Sequence, residues 1–159
     1  MARTVDTLKP LLGRDLLLRY DAGSGFFEDA DIVERRVGGE LDLDLADGLP
    51  NLEQALANRI KTRKGELTAL GHPDYGSRHH ELIGEPNVER TRNLIKLYIL
   101  QALRDEPRVE RVLSAKVSAD HQPPRETVRI ELALRLRGVP DVLNLVLPFS
   151  LGTPIGASP

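Results

Sequence analysis

Leucine and acidic residues alternate along residues 40–45, and this two-residue period predicts a β-strand. Leu41, Leu43 and Leu45 would share one face of that strand, so we expect the leucines in the core and the acidic face in water. A strand with one apolar face requires a second layer of structure to cover it.

The chain ahead of this strand has a weaker pattern. Residues 1–14 contain a few leucines without a clear period, and we expect them to form a tail or a docking segment. Residues 16–20 predict a short strand, because the glycines and short polar side chains of residues 21–25 favour a turn directly after it.

The C-terminal third predicts an antiparallel sheet of three or more strands. Residues 128–136 carry the clearest alternation of the whole chain, with aliphatic residues separated by Arg, Glu and Ala. Residues 109–119 and 142–151 are also β in character, and short loops join the three runs. Consecutive strands with short connections form a meander, whose apolar face must be covered by helices.

Two longer helical stripes precede this sheet. Apolar positions at helical spacing predict a helix over residues 50–62, with Asn51 and Gln54 as its capping box. A broader stripe predicts a helix over residues 87–106, which Pro107 ends. The order of helices first and sheet last predicts an α+β fold, with the helices packed on a C-terminal antiparallel sheet of three or more strands.

The segment between the two helices is rich in residues that interrupt regular structure. Residues 70–76 predict a loop, since they contain two glycines and a proline. Ser77 could cap a short helix, and Gly84 is placed to adopt the left-handed conformation that ends it.

Composition narrows the possible functions. A chain of 159 residues fits one domain, and 22 basic against 24 acidic residues give a net charge of −2, so no overall field attracts nucleic acid. The absence of cysteine excludes disulfides and thiolate metal sites. Neither a membrane span nor a signal peptide is evident, and we expect a protein made in the cytoplasm, without cofactor, nucleic acid or membrane as partner.

The sequence contains acidic residues and histidines but no convincing catalytic or metal centre. A lysozyme-like site needs two carboxyl groups held close together with one kept protonated by burial, and no such pair stands out among Glu66, Glu81 and Glu106. The adjacent residues His79 and His80 diverge on a helix and lack the spacing of a helical zinc site. We therefore expect a non-enzymatic protein without a bound metal.

Three short sequence motifs follow one another along the chain. Residues 63–67 read Arg-Lys-Gly-Glu-Leu, residues 72–77 read His-Pro-Asp-Tyr-Gly-Ser, and residues 106–108, after the long helical stripe, read Glu-Pro-Arg. With the meander that follows, this order resembles the GPW/gene-25-like family of baseplate wedge proteins, found in contractile phage tails, extracellular contractile injection particles and type VI secretion systems.

The resemblance implies a domain organisation and an architecture. An N-terminal extension would cover residues 1–40, the baseplate domain residues 41–151 and a tail residues 152–159. The fold would be the handshake fold that this family shares with the inner domain of the tail sheath.

The resemblance also implies partners and the residues that bind them. The Glu-Pro-Arg triplet, here Glu106, Pro107 and Arg108, would dock on the core bundle of the wedge, with one copy in each wedge of a six-fold ring. The sheet would bind sheath subunits, through the strands that carry Val128, Ile130, Leu132, Leu134, Leu136, Leu143, Leu145 and Leu147. The remaining motif residues would be structural, and they are Gly65, Glu66, Tyr75 and Gly76.

Two other functions remain open at this point. Some members of the family are described as lysozyme-like, which would make the protein a peptidoglycan-cleaving enzyme. A small cytosolic regulator that binds one protein partner could also use the same fold, because a fold alone does not fix function.

Overall fold

The computed structural model describes residues 12–20, 30–120 and 125–152. The chain divides into two compact units, residues 1–55 and 56–159, and the division falls within a helix, α1, Leu49–Lys61. The predicted turn at residues 21–25 and most of the predicted tail at residues 1–14 lie outside the described residues. No helix in the described part of the chain is long and apolar enough to cross a membrane.

The described residues of the first unit form three antiparallel ribbons of two short strands each. Strand β1 (Arg14–Leu16) pairs with β6 (Leu45–Asp47), β2 (Leu18–Tyr20) with β3 (Ala30–Ile32), and β4 (Glu34–Val37) with β5 (Glu40–Leu43). The predicted short strand at residues 16–20 is present, divided between two ribbons.

A ring of three backbone hydrogen bonds joins the ribbons. The Leu17 N–H donates to the Asp44 carbonyl at 2.8 Å, the Asp44 N–H to the Val33 carbonyl at 2.8 Å, and the Val33 N–H to the Leu17 carbonyl at 3.0 Å. Each of these residues separates two consecutive strands, so the strand before it and the strand after it pair with different neighbours.

The prediction that the leucines of residues 40–45 enter the core is wrong. Leu41, Leu43 and Leu45 are 57%, 42% and 41% exposed. The alternation does place them on one face of the chain, but among the described residues no second layer covers that face. Periodicity shows which residues share a face, and it does not show whether anything packs against it.

Helix α1 confirms the predicted span, but the predicted capping box is wrong. The helix begins at Leu49, which puts Asn51 and Gln54 inside its first turns. Asn51 Nδ2 donates to the Leu12 carbonyl at 2.8 Å. The Gln54 amide bonds the main chain of β1 and β2 rather than the helix start, so strand contacts have replaced the local cap.

The second unit contains the predicted meander, and the α+β fold is confirmed. Strands β7 Val109–Ala119, β8 Thr127–Leu136 and β9 Val142–Ser150 form an antiparallel sheet in the order β7-β8-β9. Helix α2, Glu89–Arg104, buries the predicted stripe. The fully buried aliphatic side chains of this unit form its core, which includes Leu56, Ile60, Ile95, Ile99, Leu103, Val128, Ile130, Leu134, Leu136 and Leu151.

The predicted short helix between α1 and α2 is a 3-10 helix, His79–Leu82. Gly84 follows with a φ of +93°, in the left-handed region that glycine adopts readily. Ser77 does not cap this helix, which contradicts our expectation, because its hydroxyl is hydrogen-bonded to His79 Nδ1 at 2.8 Å.

Candidate interaction site

The triplet Glu106, Pro107 and Arg108 forms a fixed turn between α2 and β7, which we call the corner. The Glu106 N–H donates to the Leu103 carbonyl at 3.2 Å, which continues the hydrogen bonding of the helix end. On the other side, the Arg137 N–H donates to the Arg108 carbonyl at 3.0 Å. The corner is therefore held by the helix and by the chain that leaves β8.

The side chains of the corner pair with each other. Glu106 is 4% exposed, and its carboxylate accepts hydrogen bonds from Arg108 Nε at 2.6 Å, from Arg108 Nη2 at 3.1 Å and from the Arg108 amide at 3.2 Å. Two side-chain bonds from one guanidinium fix both groups in a plane. We expected the charges of both Glu106 and Arg108 to face a partner, but the Glu106 carboxylate is already hydrogen-bonded within the chain. A partner could still contact Pro107 and the remaining guanidinium N–H groups of Arg108.

Arg59 of α1 completes this cluster, and the sequence motifs do not include it. Its Nε lies 3.6 Å from Glu106 Oε2, and its guanidinium carbon lies 4.5 Å from the centre of the Tyr75 ring. The side chain is 13% exposed, and Nε makes no hydrogen bond within the described residues. A signal existed in the sequence, because Arg59 falls on the apolar stripe of α1, where a charge requires a partner.

Burial and charge act in opposite directions on Glu106. Burial alone would raise the pKa of its carboxyl group, but the hydrogen bonds from Arg108 and the charges of Arg108 and Arg59 together hold that pKa below its ordinary value. Burial raises the pKa of Tyr75, against the opposing effect of Arg59. The cluster therefore holds a carboxylate that stays ionised and a phenol that stays neutral.

The loop that carries Tyr75 is attached to the end of α1. The Ser77 N–H donates to the Thr62 carbonyl at 2.9 Å, and the Lys64 N–H donates to the Ser77 carbonyl at 3.1 Å. Gly76 sits against this contact with a φ of +99°, and a Cβ there would lie 2.6 Å from the Thr62 oxygen and 2.8 Å from the Arg63 carbonyl. Only glycine fits this position without displacing the backbone.

The other two motif residues shape the turn after α1. Gly65 has a φ of +88°, and its carbonyl accepts the Thr68 N–H at 3.1 Å. Glu66 Oε2 accepts the Arg63 N–H at 3.0 Å. These contacts are local and structural in kind, and they hold the chain beside the Tyr75 loop.

The sheet turns most of its candidate binding residues inward. Val128, Ile130, Leu132, Leu134, Leu136, Leu143 and Leu147 are buried, and Leu145 is partly buried. Strand β8 lies in the middle with both edges paired. Side chains on that face and the main chain of β8 are therefore unavailable to a partner, and what the described sheet offers is the outer edges of β7 and β9.

The two outer edges differ in regularity. Strand β7 contains two irregularities in its pairing with β8, whereas β9 pairs with β8 in one continuous register. The Leu151 N–H donates to the Glu126 carbonyl at 2.9 Å, so these two residues form a hydrogen-bonded pair of the β8–β9 ladder. Because such pairs alternate with non-hydrogen-bonded ones, the N–H and C=O groups of Val142, Asn144 and Val146 point outward. Pro148 lacks an N–H and interrupts this edge.

The histidines are packed rather than arranged for metal binding. The rings of His79 and His80 lie 4.1 Å apart, and Phe149 contacts His79 edge-on at 4.4 Å. Burial, followed by the neighbouring His80, lowers the pKa of His79 to about 3, so this ring is neutral at ordinary pH. In the residues described, no cluster of three or more His, Cys, Asp or Glu could hold a metal ion.

Comparison with known proteins identifies relatives of this chain. The sequence model of the family described as baseplate wedge protein gp25 matches residues 46–141. No protein of curated function matches the chain. A crystal structure from Geobacter sulfurreducens, provisionally described as a tail lysozyme, is 27% identical, covers 62% of this chain and 86% of its own, and has a TM-score of 0.53.

A second solved structure, the baseplate complex from the type VI secretion system, is 22% identical to this chain. It covers 63% of this chain and 90% of the matched chain, with a TM-score of 0.49.

Proposed function

Because the chain belongs to the baseplate wedge protein gp25 family, whose model matches residues 46–141, we propose that it is a structural subunit of the baseplate of a contractile injection machine. It assembles there with other baseplate proteins, one copy in each wedge of a six-fold ring. It joins the core bundle of the wedge to the first ring of sheath, and it becomes part of the particle after synthesis in the cytoplasm.

The corner is the part of this subunit that docks on the wedge core bundle. The observation that supports this role is the pairing of Glu106 with Arg108, because it fixes a partly exposed guanidinium in one orientation. Two N–H groups of Arg108 are used inside the chain, which leaves three to bind a partner carboxylate or carbonyl. Pro107 is exposed beside them and adds a rigid apolar contact.

The docking role is tested by replacing Arg108 with alanine. We expect Arg108→Ala to fold, because Glu106 keeps Arg59 as a neighbour, and to be absent from purified particles. Arg104→Ala is the matched control, since Arg104 is an exposed arginine at the end of α2 and should be incorporated normally. Normal sheathed particles that contain the Arg108→Ala protein would remove the corner from the docking interface.

The β9 edge is where a strand of the sheath would add to the sheet. An exposed strand edge has main-chain groups ready to pair, and a regular ladder is easier to extend than one distorted by bulges. The outward groups of Val142, Asn144 and Val146 therefore favour β9 over β7.

A proline on this edge tests the sheath-binding role. Val146 is 49% exposed, and its N–H points away from β8, so Val146→Pro should leave the sheet folded and prevent sheath from starting on an otherwise complete baseplate. Val146→Thr is the control, because it changes the side chain and keeps the N–H. Sheath of normal length on Val146→Pro baseplates would exclude this edge.

We propose a non-enzymatic role, although the Geobacter relative is described as a lysozyme. Lysozyme chemistry needs a carboxyl group whose pKa is raised. In this chain, hydrogen bonds from arginine lower the pKa of Glu81, and they also lower the pKa of Glu106 although burial acts to raise it. Purified protein should leave peptidoglycan uncleaved. Cleavage that disappears on replacement of one glutamate would establish the enzymatic alternative, and a protein found apart from large particles would favour the regulator.

A further inference from the structure

The outer edges of the first unit are determined by the hydrogen-bonded ring. In an antiparallel ladder, alternate residue pairs turn their main-chain groups away from the partner strand. Val33 and Asp44 are hydrogen-bonded across the ring, so the next pair, Glu34 and Leu43, points outward. The same phase makes Arg36 and Leu41 an outward pair.

The described part of the first unit has three chain segments, β1–β2, β3–β4 and β5–β6, and side chains already bond outward main-chain groups of the first and the last. Along β5 and β6, Asp42 Oδ1 accepts the Leu43 N–H at 2.8 Å, and Asp44 Oδ1 accepts the Leu45 N–H at 2.9 Å. Bonding of an amide by the preceding aspartate withdraws it from pairing with another strand.

The edge of β1 and β2 is covered by α1. Gln54 Oε1 accepts the Leu18 N–H at 2.8 Å, and Gln54 Nε2 donates to the Leu16 carbonyl at 2.8 Å. The carboxamide of Gln54 thus pairs with this strand edge as a peptide group of an added strand would.

Along the third edge, formed by β3 and β4, the described residues provide no equivalent cover. The outward residues there include Ile32, Glu34 and Arg36, and no side chain of the described residues bonds the amides of these three. Every residue of β3 and β4 is exposed. In the described part of the first unit, this edge is therefore the one best able to accept another strand.

An apolar surface adjoins the uncovered edge. Ile32 is 48% exposed, and the registers put its side chain on the same face as Leu41, Leu43 and Leu45. A strand added beside β3 and β4 could extend this face with apolar side chains of its own and so remove part of it from water.

The charges on β4 indicate what the added strand would carry. Arg35 lies 3.7 Å from Asp44 and 3.9 Å from Asp42, so its charge is balanced inside the ribbon. Glu34 and Arg36 form no ion pair in the part of the chain described here. An added strand would therefore be favoured by an apolar side chain near Ile32, a basic one near Glu34 and an acidic one near Arg36.

We propose that the β3–β4 edge binds an extended strand of a different protein, a neighbouring subunit of the same particle, with this apolar, basic and acidic pattern. The inference rests on the proposed function for the existence of that particle. It assigns a binding surface to the chain segment ahead of the matched family region, residues 46–141.

Amide hydrogen exchange tests the proposal with the full-length chain, free and in purified particles. We expect the amides of Ile32, Glu34 and Arg36 to exchange at least about tenfold more slowly in particles, while Arg35 and Val37, whose amides point into the ribbon, change little. Equal exchange of the three amides in both samples would overturn the inference and leave the proposed function standing. Absence of the chain from particles would instead overturn the proposed function.

A pair of proline variants tests the same edge independently. Arg36 and Leu41 face each other, and both amides point outward, so Arg36→Pro and Leu41→Pro remove equivalent groups from opposite edges of one ribbon. We expect Arg36→Pro alone to abolish the exchange protection of Ile32 and Glu34 in particles. If both variants lose this exchange protection, or neither does, the assignment of the edge is overturned. If the protection instead appears in the purified protein as its concentration rises, the bound strand comes from a second copy of this chain, and the proposal is overturned.

Discussion

Arg108 donates two parallel hydrogen bonds to Glu106, from Nε to Oε1 at 2.6 Å and from Nη2 to Oε2 at 3.1 Å. The two residues are separated only by Pro107, so the pair forms within one turn of the chain. Because Arg59 approaches the same carboxylate from α1, Glu106 lies between two cations.

This arrangement predicts that removing Glu106 and removing Arg108 lower the free energy of unfolding by different amounts. Glu106→Ala leaves Arg59 largely buried without an anion and should lower the free energy of unfolding by about 3 kcal/mol. Arg108→Ala leaves Glu106 beside Arg59 and should cost clearly less. Urea unfolding at pH 7 measures both values, and equal losses would show that Arg59 does not share the carboxylate.

Gly76 should tolerate no side chain. Gly76→Ala combines a positive φ with a Cβ 2.6 Å from the Thr62 oxygen, and we expect it to cost at least about 3 kcal/mol or to prevent folding. Gly71→Ala is the matched control, because Gly71 has a φ of +87° and no heavy atom within 4 Å of the added carbon. The control should lose only about 1 kcal/mol of stability from backbone strain. Similar losses in thermal or urea unfolding would contradict the contact described for Gly76.

The free energy of unfolding should fall in mild acid because of His79. Its pKa is about 3 in the folded chain and near 6.5 when unfolded, so below pH 6.5 the unfolded state takes up a proton that the folded state does not. The free energy of unfolding should then fall with a slope that approaches about 1.4 kcal/mol per pH unit, for a total of roughly 1.6 kcal/mol between pH 6.5 and 5.

A titration-free variant isolates this effect. Whatever the stability of His79→Gln at pH 7, its free energy of unfolding should fall less steeply between pH 6.5 and 5. A smaller slope should remain because of His80, whose pKa is also lowered by burial. The loss of stability tied to Glu106 lies at lower pH, because its unfolded carboxyl group takes up a proton around pH 4.5 whereas the folded pKa lies below that value. Urea unfolding at several pH values supplies both slopes, and equal slopes for the two proteins would contradict the assignment to His79.

Gln54 should stabilise the first unit through its amide rather than through helix formation. Gln54→Leu keeps the volume and the helix propensity but leaves the Leu18 N–H and the Leu16 carbonyl without their partner, at a cost of about 2 kcal/mol. Hydrogen exchange at Leu18 should accelerate in the variant. Glu53→Leu, one residue earlier on the helix, is the control, and an unchanged Leu18 exchange rate in Gln54→Leu would contradict the edge pairing.

Local patterns in the sequence predicted the second unit well. The alternation of residues 128–136 and the stripe of α2 gave the meander and its covering helix, because each depends on neighbours a few residues away. The exposure of Leu41 and the contacts of Gln54 were not predictable in the same way. The first depends on the lack of a covering layer among the described residues, and the second on a strand more than thirty residues distant.

The corner shows the same division between local and distant information. Its proline stop and its charged residues are visible in the sequence, and the resemblance to a family pointed to them. The convergence of Arg59 and Tyr75 on Glu106 depends on how α1 and the following loop fold back, which no spacing within the triplet encodes.

The ring formed by Leu17, Val33 and Asp44 makes the opening of the three ribbons cooperative. If one of these three residues is displaced, its hydrogen bonds to both of the others are lost. Cleavage of the chain in one ribbon should therefore destabilise the other two ribbons as well. Limited proteolysis should therefore convert the intact N-terminal unit directly into small fragments, without accumulation of an intermediate that retains two folded ribbons.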